Sequence, residues 1–478
     1  MFLNTLYIKL NQFFFGLNIF GLVYFLFNES LEHICIYFGF SVVFQLLAYI
    51  VFYKINSIFV KVNFIFFYFG YLLTMPIIFI NKDKYQEVGW SGIGSYDFSY
   101  NQTFEALSVV SLYLIIFVLI SYLFDKIFIN LYSLDKIRLN FQLTKINKYR
   151  NIGIALLSFQ LYLSYIMFQH QIGIVGIHPE ENLPFRIAGI LYYYRYLIIP
   201  IISFIILFTN TSKSYILVMI IILLEIGISG IFSASRSIVI LHSLPLIGYL
   251  IIQKKRNVLV FVLIYVVIIL SFATISRNLI FNIENFKNID LFNLVEFVLS
   301  SEKFDFEYLF SMIGTIIVRF QGFHEFFATY FSSLSYVNTN LFLHSSLGFS
   351  SLDFGTFDST RDIFGVIVAP DKAYAMPIDI ISNLYLSSQN LFEIVLLILI
   401  WCFLLIFSER IINVIFFKYK KNPFFIVILH LYMLFGLIQF SVKMNFFMIP
   451  IILLIMNIIY IYLIPKKVIN SKEYISAE

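Results

Sequence analysis

Arg236 stands in the run Gly230 to Ile238 (GIFSASRSI), where one apolar stretch ends and the next begins. Ser233, Ala234 and Ser235 are small enough to let backbone approach a ligand, and Ser235 and Ser237 flank the guanidinium. A helix starting there would point free N–H groups and a partial positive charge at that ligand. The chemistry is that of an anion site. Arg offers bidentate contacts to phosphate of roughly 1.5 to 3 kcal/mol each, and Arg277, at the mouth of another apolar stretch, supplies a second clamp. Headgroup snorkelling is the plainer reading of both.

Other polar residues add to this set. Arg195, after Tyr192, Tyr193 and Tyr194, and Glu225 interrupt apolar stretches about seven to nine residues from their outer ends, roughly 10 to 14 Å deep. They form a structural ion pair or line an outward-opening polar cavity. The segment Arg319 to Glu325 (RFQGFHE) holds a cation, an amide, an imidazole and a carboxylate within two helical turns. Gln321 would share a face with His324 and Glu325, and either His324 or Glu325 suits a general base that takes a hydroxyl proton. Ordinary solvated residues of a surface amphipathic helix are the plainer reading. Arg361 is a further basic residue in the same long segment. His178 with Glu180 and Glu181 reads as a solvated loop, and Trp90 and Tyr96 as interfacial anchors or sugar-stacking rings. Asp353, Asp358 and Asp362 do not match a calcium-loop spacing, and no metal-ligand pairing or phosphate-cradling glycine motif is present.

The elements that must position these residues are membrane helices. With 60% hydrophobic and 12% charged residues, the chain cannot be an ordinary soluble protein, whose charged fraction is about 25%. Cys35 and Cys402 support neither a disulfide framework nor a thiolate metal site. Apolar windows long enough for roughly 30 Å of hydrocarbon fall at 12–27, 34–53, 60–80, 105–124, 150–170, 186–209, 214–232, 236–252, 258–275, 391–409, 424–441 and 446–464. The first lacks a small-residue cleavage site and reads as a retained helix.

Orientation follows from the Lys and Arg residues of short loops. In an arrangement of about twelve spans, roughly 20 of the 32 basic residues fall on one side, among them Lys54, Lys61, Lys126, Lys136, Lys254 and Arg410. Both termini are then cytoplasmic. The net charge of +5 is accounted for by topology and says nothing in favour of nucleic acid. Four parts result: a transmembrane bundle of about nine helices at 1–275, a large extracytoplasmic loop at 276–390, C-terminal spans at 391–465 and a cytoplasmic tail at 466–478. The loop contains amphipathic segments such as 308–330 that lie on the membrane or re-enter it. Arg236, Arg277, Arg319 and Arg361 lie on the outer, acid-rich side, against the topological bias. At that surface a lipid-linked phosphate is the anion that fits.

Many spans, Ser235-Arg236-Ser237 opening a span, Arg319-Phe-Gln-Gly322 downstream, and Pro377 with Asn383-Leu-Tyr385 before a late span make the chain resemble the oligosaccharide repeat-unit polymerases, the Wzy family of O-antigen and capsule assembly. Ser387 to Asn390 departs from the Phe-Gly or Asn-Gly pair often found there in that family. The resemblance implies an all-α, GT-C-like glycosyltransferase of the bacterial inner membrane that needs no cofactor and no metal. Its substrates would be glycans linked to undecaprenyl diphosphate, with membrane lipids around it and a chain-length regulator and a flippase as pathway partners. Arg236 and Arg277 would stabilise the leaving diphosphate. Arg319 would hold the second diphosphate or orient donor sugars, with Glu325 or His324 as base. Ser235, Ser237, Arg195, Glu225, Arg361 and Tyr385 would line the substrate path. A lipid-oligosaccharide flippase, for which internal repeats and short loops would be expected, and an O-antigen ligase with the same donor are the alternatives. A membrane O-acetyltransferase would need a cytoplasmic acyl-donor site, for which there is no marker.

Overall fold

The computed structural model describes, apart from short gaps, residues 18–80, 99–128, 147–174, 191–209, 215–282, 322–331 and 380–418. Regular structure among them is entirely helical: α1 (Asn18–Phe27), α2 (Leu31–Lys54), α3 (Ile58–Phe67), a π-helical stretch (Tyr68–Leu73) running into α4 (Thr74–Ile80), α5 (Tyr100–Ile127), α6 (Asn147–Gln169), α7 (Ile199–Thr209), α8 (Tyr215–Phe232), α9 (Arg236–Ile252), α10 (Arg256–Asn282), α11 (Phe323–Tyr330), α12 (Ile380–Leu386) and α13 (Leu391–Lys418). Leu31–Lys54, Ile58–Pro76, Tyr100–Ile127 and Arg256–Ser276 are long and apolar enough to cross a membrane, and shorter apolar helices accompany them. Phe38, Leu46, Phe104, Leu119, Ile216 and Phe261 are exposed on these helices, a distribution suited to hydrocarbon and not to water. The windows at 424–441 and 446–464 lie outside the described residues.

The chain divides into two compact units, one of residues 1–139, 313–367 and 375–453, the other of 140–312, 368–374 and 454–478. The division follows packing and not chain order.

In the first unit α2 packs on α5, and α13 packs on both α5 and α3. Ser30 and Ser57 cap the N-termini of α2 and α3 by accepting from His33 N and Val60 N, each satisfying an orphan donor of the first turn. The core is aromatic. Trp401 stacks on Phe117 at 4.5 Å, with Phe67 edge-on to both. Near the end that holds Lys54 and Lys126, Arg410 Nη2 donates to Asp125 Oδ1 at 2.6 Å, while Asn56 N and Nδ2 donate to Oδ2 at 2.8 and 3.0 Å. Glu409 accepts from Ser57 Oγ, Ile58 N and Phe59 N at 2.5, 3.1 and 3.1 Å, so its charge sits on the positive end of α3. Arg410 and Lys61, counted by sequence among loop cations, are therefore buried, and Arg410 is neutralised by Asp125.

From the long segment 276–390, the described residues 322–331 and 380–390 also belong to this unit. Phe323, Phe326, Phe327 and Ala328 of α11 are buried, and α11 packs on the π-helical stretch, α4, α5 and α12. A Cβ on Gly322 would overlap the backbone of Gly70. Only glycine permits that approach, and Gly70 lies ten residues, about 15 Å, from the end of α4. Within the stretch 308–330 that sequence read as lying on the membrane or re-entering it, α11 packs into this core, and residues 308–321 lie outside the described residues.

In the second unit α6 packs on α7 and α8, and α9 packs on α7, α8 and α10. Gly227 and Gly230, one turn apart on α8, bring Tyr265 and Val239 close to its backbone, and Tyr265 Oη donates to Leu223 O at 2.7 Å. The α8–α9 connection is minimal. Ser235 N bonds Gly230 O and Ala234 N bonds Ile231 O, the paired bonds of a Schellman cap. Ala234 adopts the left-handed conformation that this cap requires, with φ 50°. Ser235 then begins the next helix, its Oγ accepting from Ile238 N at 3.4 Å. One serine thus ends α8 and caps α9.

Candidate functional site

The densest polar centre among the described residues lies inside the second unit. Glu225 is seven residues before the end of α8, and His242 is six residues after the start of α9. Both are therefore about 10 Å from the turn, and the antiparallel hairpin brings them together. His242 Nδ1 lies 2.8 Å from each oxygen of Glu225, and both side chains are fully buried. Ser229 Oγ, one turn on from Glu225, donates to Oε1 at 2.7 Å and lies 3.1 Å from Ser164 Oγ, which accepts from Gln160 Nε2 at 3.2 Å. His242 Nε2 lies 3.0 Å from Arg195 O, and Arg195 Nη2 donates to Ser229 O at 2.7 Å.

The proton inventory follows from the partners. A carbonyl oxygen only accepts, so His242 Nε2 carries a hydrogen. One more proton must lie between Nδ1 and the Glu225 carboxyl. Each of the two buried ionisable groups thereby has the other as its hydrogen-bond partner. Arg195 and Glu225, singled out by sequence as possible partners, join one network through Ser229 and His242. His242 was missed because it lies in an ordinary apolar window. Its signal was positional: it stands as far after Ala234 as Glu225 stands before it, to within one residue.

This network abuts the Arg236 step. Ser233 Oγ donates to Ser229 O at 2.5 Å, the carbonyl that also receives Arg195. Ser233, Ala234 and Ser235 are buried, and Ala234 packs with Phe168, Ile174 and Phe232. These residues, read from sequence as small enough to let backbone approach a ligand, also shape the turn. Arg236 is the first residue of α9, with Ser237 next, and Arg277 lies in the last turns of α10. Because α9 and α10 pack as consecutive helices, both arginines belong to the same end of this hairpin, offset by about 8 Å along the axis at 1.5 Å per residue. The side chains of Arg236, Ser237 and Arg277 lie outside the described residues.

The remaining candidates belong to the first unit or are not described. Tyr385 of α12 is half-buried and meets Tyr330 and Phe326 of α11 at ring distances of 5.2 and 6.0 Å. Tyr330 Oη donates to Glu105 Oε1 at 2.7 Å. Burial, then the Glu105 carboxylate, pushes the Tyr330 phenol well above its ordinary range, so it remains a donor. The backbones of His324 and Glu325 form the first turn of α11, but their side chains lie outside the described residues, as do Arg319, Gln321 and Arg361 entirely. Among the described residues no three His, Cys, Asp or Glu side chains converge as metal ligands would.

Fold and site together define a multi-pass membrane protein, all-helical among the described residues, with a buried carboxylate–imidazole–guanidinium network under a helix turn. Comparison with protein-family models, characterised proteins and solved structures finds no match.

Proposed function

We propose that the chain is a membrane glycosyltransferase that polymerises repeat units linked to undecaprenyl diphosphate at the outer face of the bacterial inner membrane, in O-antigen or capsule synthesis. In this reading about twelve spans form a GT-C-like bundle with both termini cytoplasmic. The growing glycan leaves its diphosphate carrier and passes en bloc to a hydroxyl of an incoming lipid-linked unit. The anomeric C–O bond to phosphate breaks, a glycosidic C–O bond forms, and the hydroxyl proton passes to a base, with His324 and Glu325 as candidates.

The observation that carries the reading is the start of α9. Its cap is supplied by Ser235, its first residue is Arg236, and Arg277 stands at the same end of the neighbouring helix. Two guanidinium groups and a helix N-terminus are the means by which charge developing on a diphosphate is stabilised without reorganisation. The Arg195–Ser229–Glu225–His242 network sits directly beneath and fixes the turn.

The test is the surface-glycan ladder of a host deleted for this gene and complemented with wild type or Arg236→Ala, with protein level checked by blot. A ladder reduced to one lipid-anchored unit, unrescued by normally expressed Arg236→Ala, is the expected result. Arg236→Lys should also be weak, since a point charge does not replace a bidentate fork. An unchanged ladder on deletion sinks the reading; loss of even the single capped unit points to a flippase or ligase.

A further inference from the structure

We infer that the groove between α2 and α5 in the first unit is a docking site for an aminophospholipid, its acyl chain in the groove and its ammonium headgroup at the mouth. This goes beyond the polymerase reading and does not depend on it. The groove encloses about 500 Å³ and is walled by Cys35, Gly39 and Val43 of α2 and by Phe104, Ser108 and Ile115 of α5. From Phe104 to Ile115 is eleven residues, about 16 Å, half of a hydrocarbon core of roughly 30 Å. It is thus one leaflet deep.

The walls are apolar despite their serines. Ser108 Oγ and Ser111 Oγ donate to Phe104 O and Leu107 O of their own helix at 2.6 and 2.7 Å, so neither hydroxyl calls for a polar ligand. Gly39 leaves the groove open, since a Cβ there would meet nothing within 4 Å. Phe38, Leu46 and Leu112 beside it are exposed. In a membrane protein such a surface faces lipid tails, so the occupant is a hydrocarbon chain.

Charge at the mouth selects the headgroup. Cys35 and Phe104 wall the same end, so the N-termini of α2 and α5 lie together there. Glu29, Glu32 and Glu105 are the carboxylates between residues 29 and 45 and between 99 and 115, and those two stretches contain no lysine or arginine. The one imidazole among them, His33, shares a hydrogen bond with Ser30 Oγ. Glu105 is exposed and lies on the same helix face as Ser108 and Leu112, three and seven residues on. Tyr330 Oη fixes its carboxylate, with Tyr385 against the Tyr330 ring. A carboxylate bordered by tyrosines attracts an ammonium by charge and by ring quadrupole. The same carboxylates repel a diphosphate, so the carrier lipid of the proposed reaction is not the occupant.

Cys35 provides a native reporter, because it is exposed while Cys402, the other cysteine, is buried. The experiment measures N-ethylmaleimide labelling of Cys35 in the full-length protein in nanodiscs of phosphatidylglycerol alone or mixed with phosphatidylethanolamine. Phosphatidylethanolamine should slow labelling about tenfold. Glu105→Gln should erase most of that difference, and Gly39→Phe, which fills the groove, should make labelling insensitive to lipid. Equal rates in the two lipids, or stronger protection by added undecaprenyl diphosphate, would overturn the inference. The glycan ladder is read independently, so either conclusion can fail without the other.

Discussion

Breaking the Asp125–Arg410 pair should cost far more than removing it whole. Both side chains are almost completely buried, 0% and 1% exposed, and removing one partner of such a pair costs about 3 to 5 kcal/mol. Arg410→Met leaves Asp125 with two neutral donors from Asn56, so it belongs near the lower figure, about 3 kcal/mol. Asp125→Leu strands a guanidinium whose Nε and Nη1 make no hydrogen bond, which places it near about 5 kcal/mol. The double variant puts two apolar side chains in contact and should lie within about 2 kcal/mol of wild type. The coupling energy is then about 6 kcal/mol. The assay is unfolding by SDS titration in mixed micelles, followed by Trp401 fluorescence in a Trp90→Phe background. Trp401 sits nine residues from Arg410 and reports the α5–α13 contact through its stack on Phe117. Single losses that simply add, giving about 8 kcal/mol for the double variant, would refute the argument that the pair is buried and mutually dependent.

Three further substitutions test the local geometry. Ser235→Ala should destabilise by about 1 kcal/mol through loss of the α9 cap, while Ser235→Asp, also a good cap, should retain thermal stability; equal losses would show that capping is not its role. Gly322→Ala should lower the melting temperature sharply because its Cβ meets Gly70 backbone, whereas Gly39→Ala, pointing into open space, should gain up to about 1 kcal/mol from helix propensity. A neutral Gly322→Ala would mean that α11 does not pack against the π-helical stretch. Ala234→Gly should be close to neutral in the same thermal assay: relief of left-handed strain of about 1 kcal/mol is offset by loss of a buried methyl worth about 0.8 kcal/mol, and a shift of several degrees either way would contradict the Schellman turn.

Sequence carried the helical class and most windows of the described helices because apolar length is a local property. The helix start at Arg236 was equally local, since Ser235, Ala234 and Ser233 announce a break between two apolar runs. What sequence could not show were pairings between distant helices. Asp125 and Arg410 are 285 residues apart; Arg410 was counted alone as a loop cation and Asp125 was not singled out, when their meaning lies in the pair. Glu105 was invisible for a similar reason: a single carboxylate in the second turn of a span gains its surroundings only when Tyr330 and Tyr385 arrive from the long segment. Sequence left 308–330 either lying on the membrane or re-entering it, because its polar flanks balance Phe323, Phe326 and Phe327 in any averaged hydropathy. Gly322 was quoted as part of a resemblance, and its physical reason, contact with Gly70, appears only in the packed structure.

The network around Glu225 bears on how the Arg236 step can work. A guanidinium that must stabilise charge appearing in a transition state is useful only if its position is fixed beforehand. Arg236 is the first residue of a helix, so its position depends on the turn before it. That turn is held from below at one carbonyl, Ser229 O, where Arg195 Nη2 and Ser233 Oγ converge. Arg195 is in turn held through its own carbonyl by His242, and His242 by Glu225. Each link is buried and hydrogen-bonded to the next, so the turn is held by groups that do not themselves reach the ligand. His242→Leu should therefore weaken the function of Arg236 without touching any ligand, and His242→Gln, whose amide can still donate to Arg195 O, should recover part of it. Identical ladders from the leucine and glutamine variants at equal protein level would show that the turn holds Arg236 without His242.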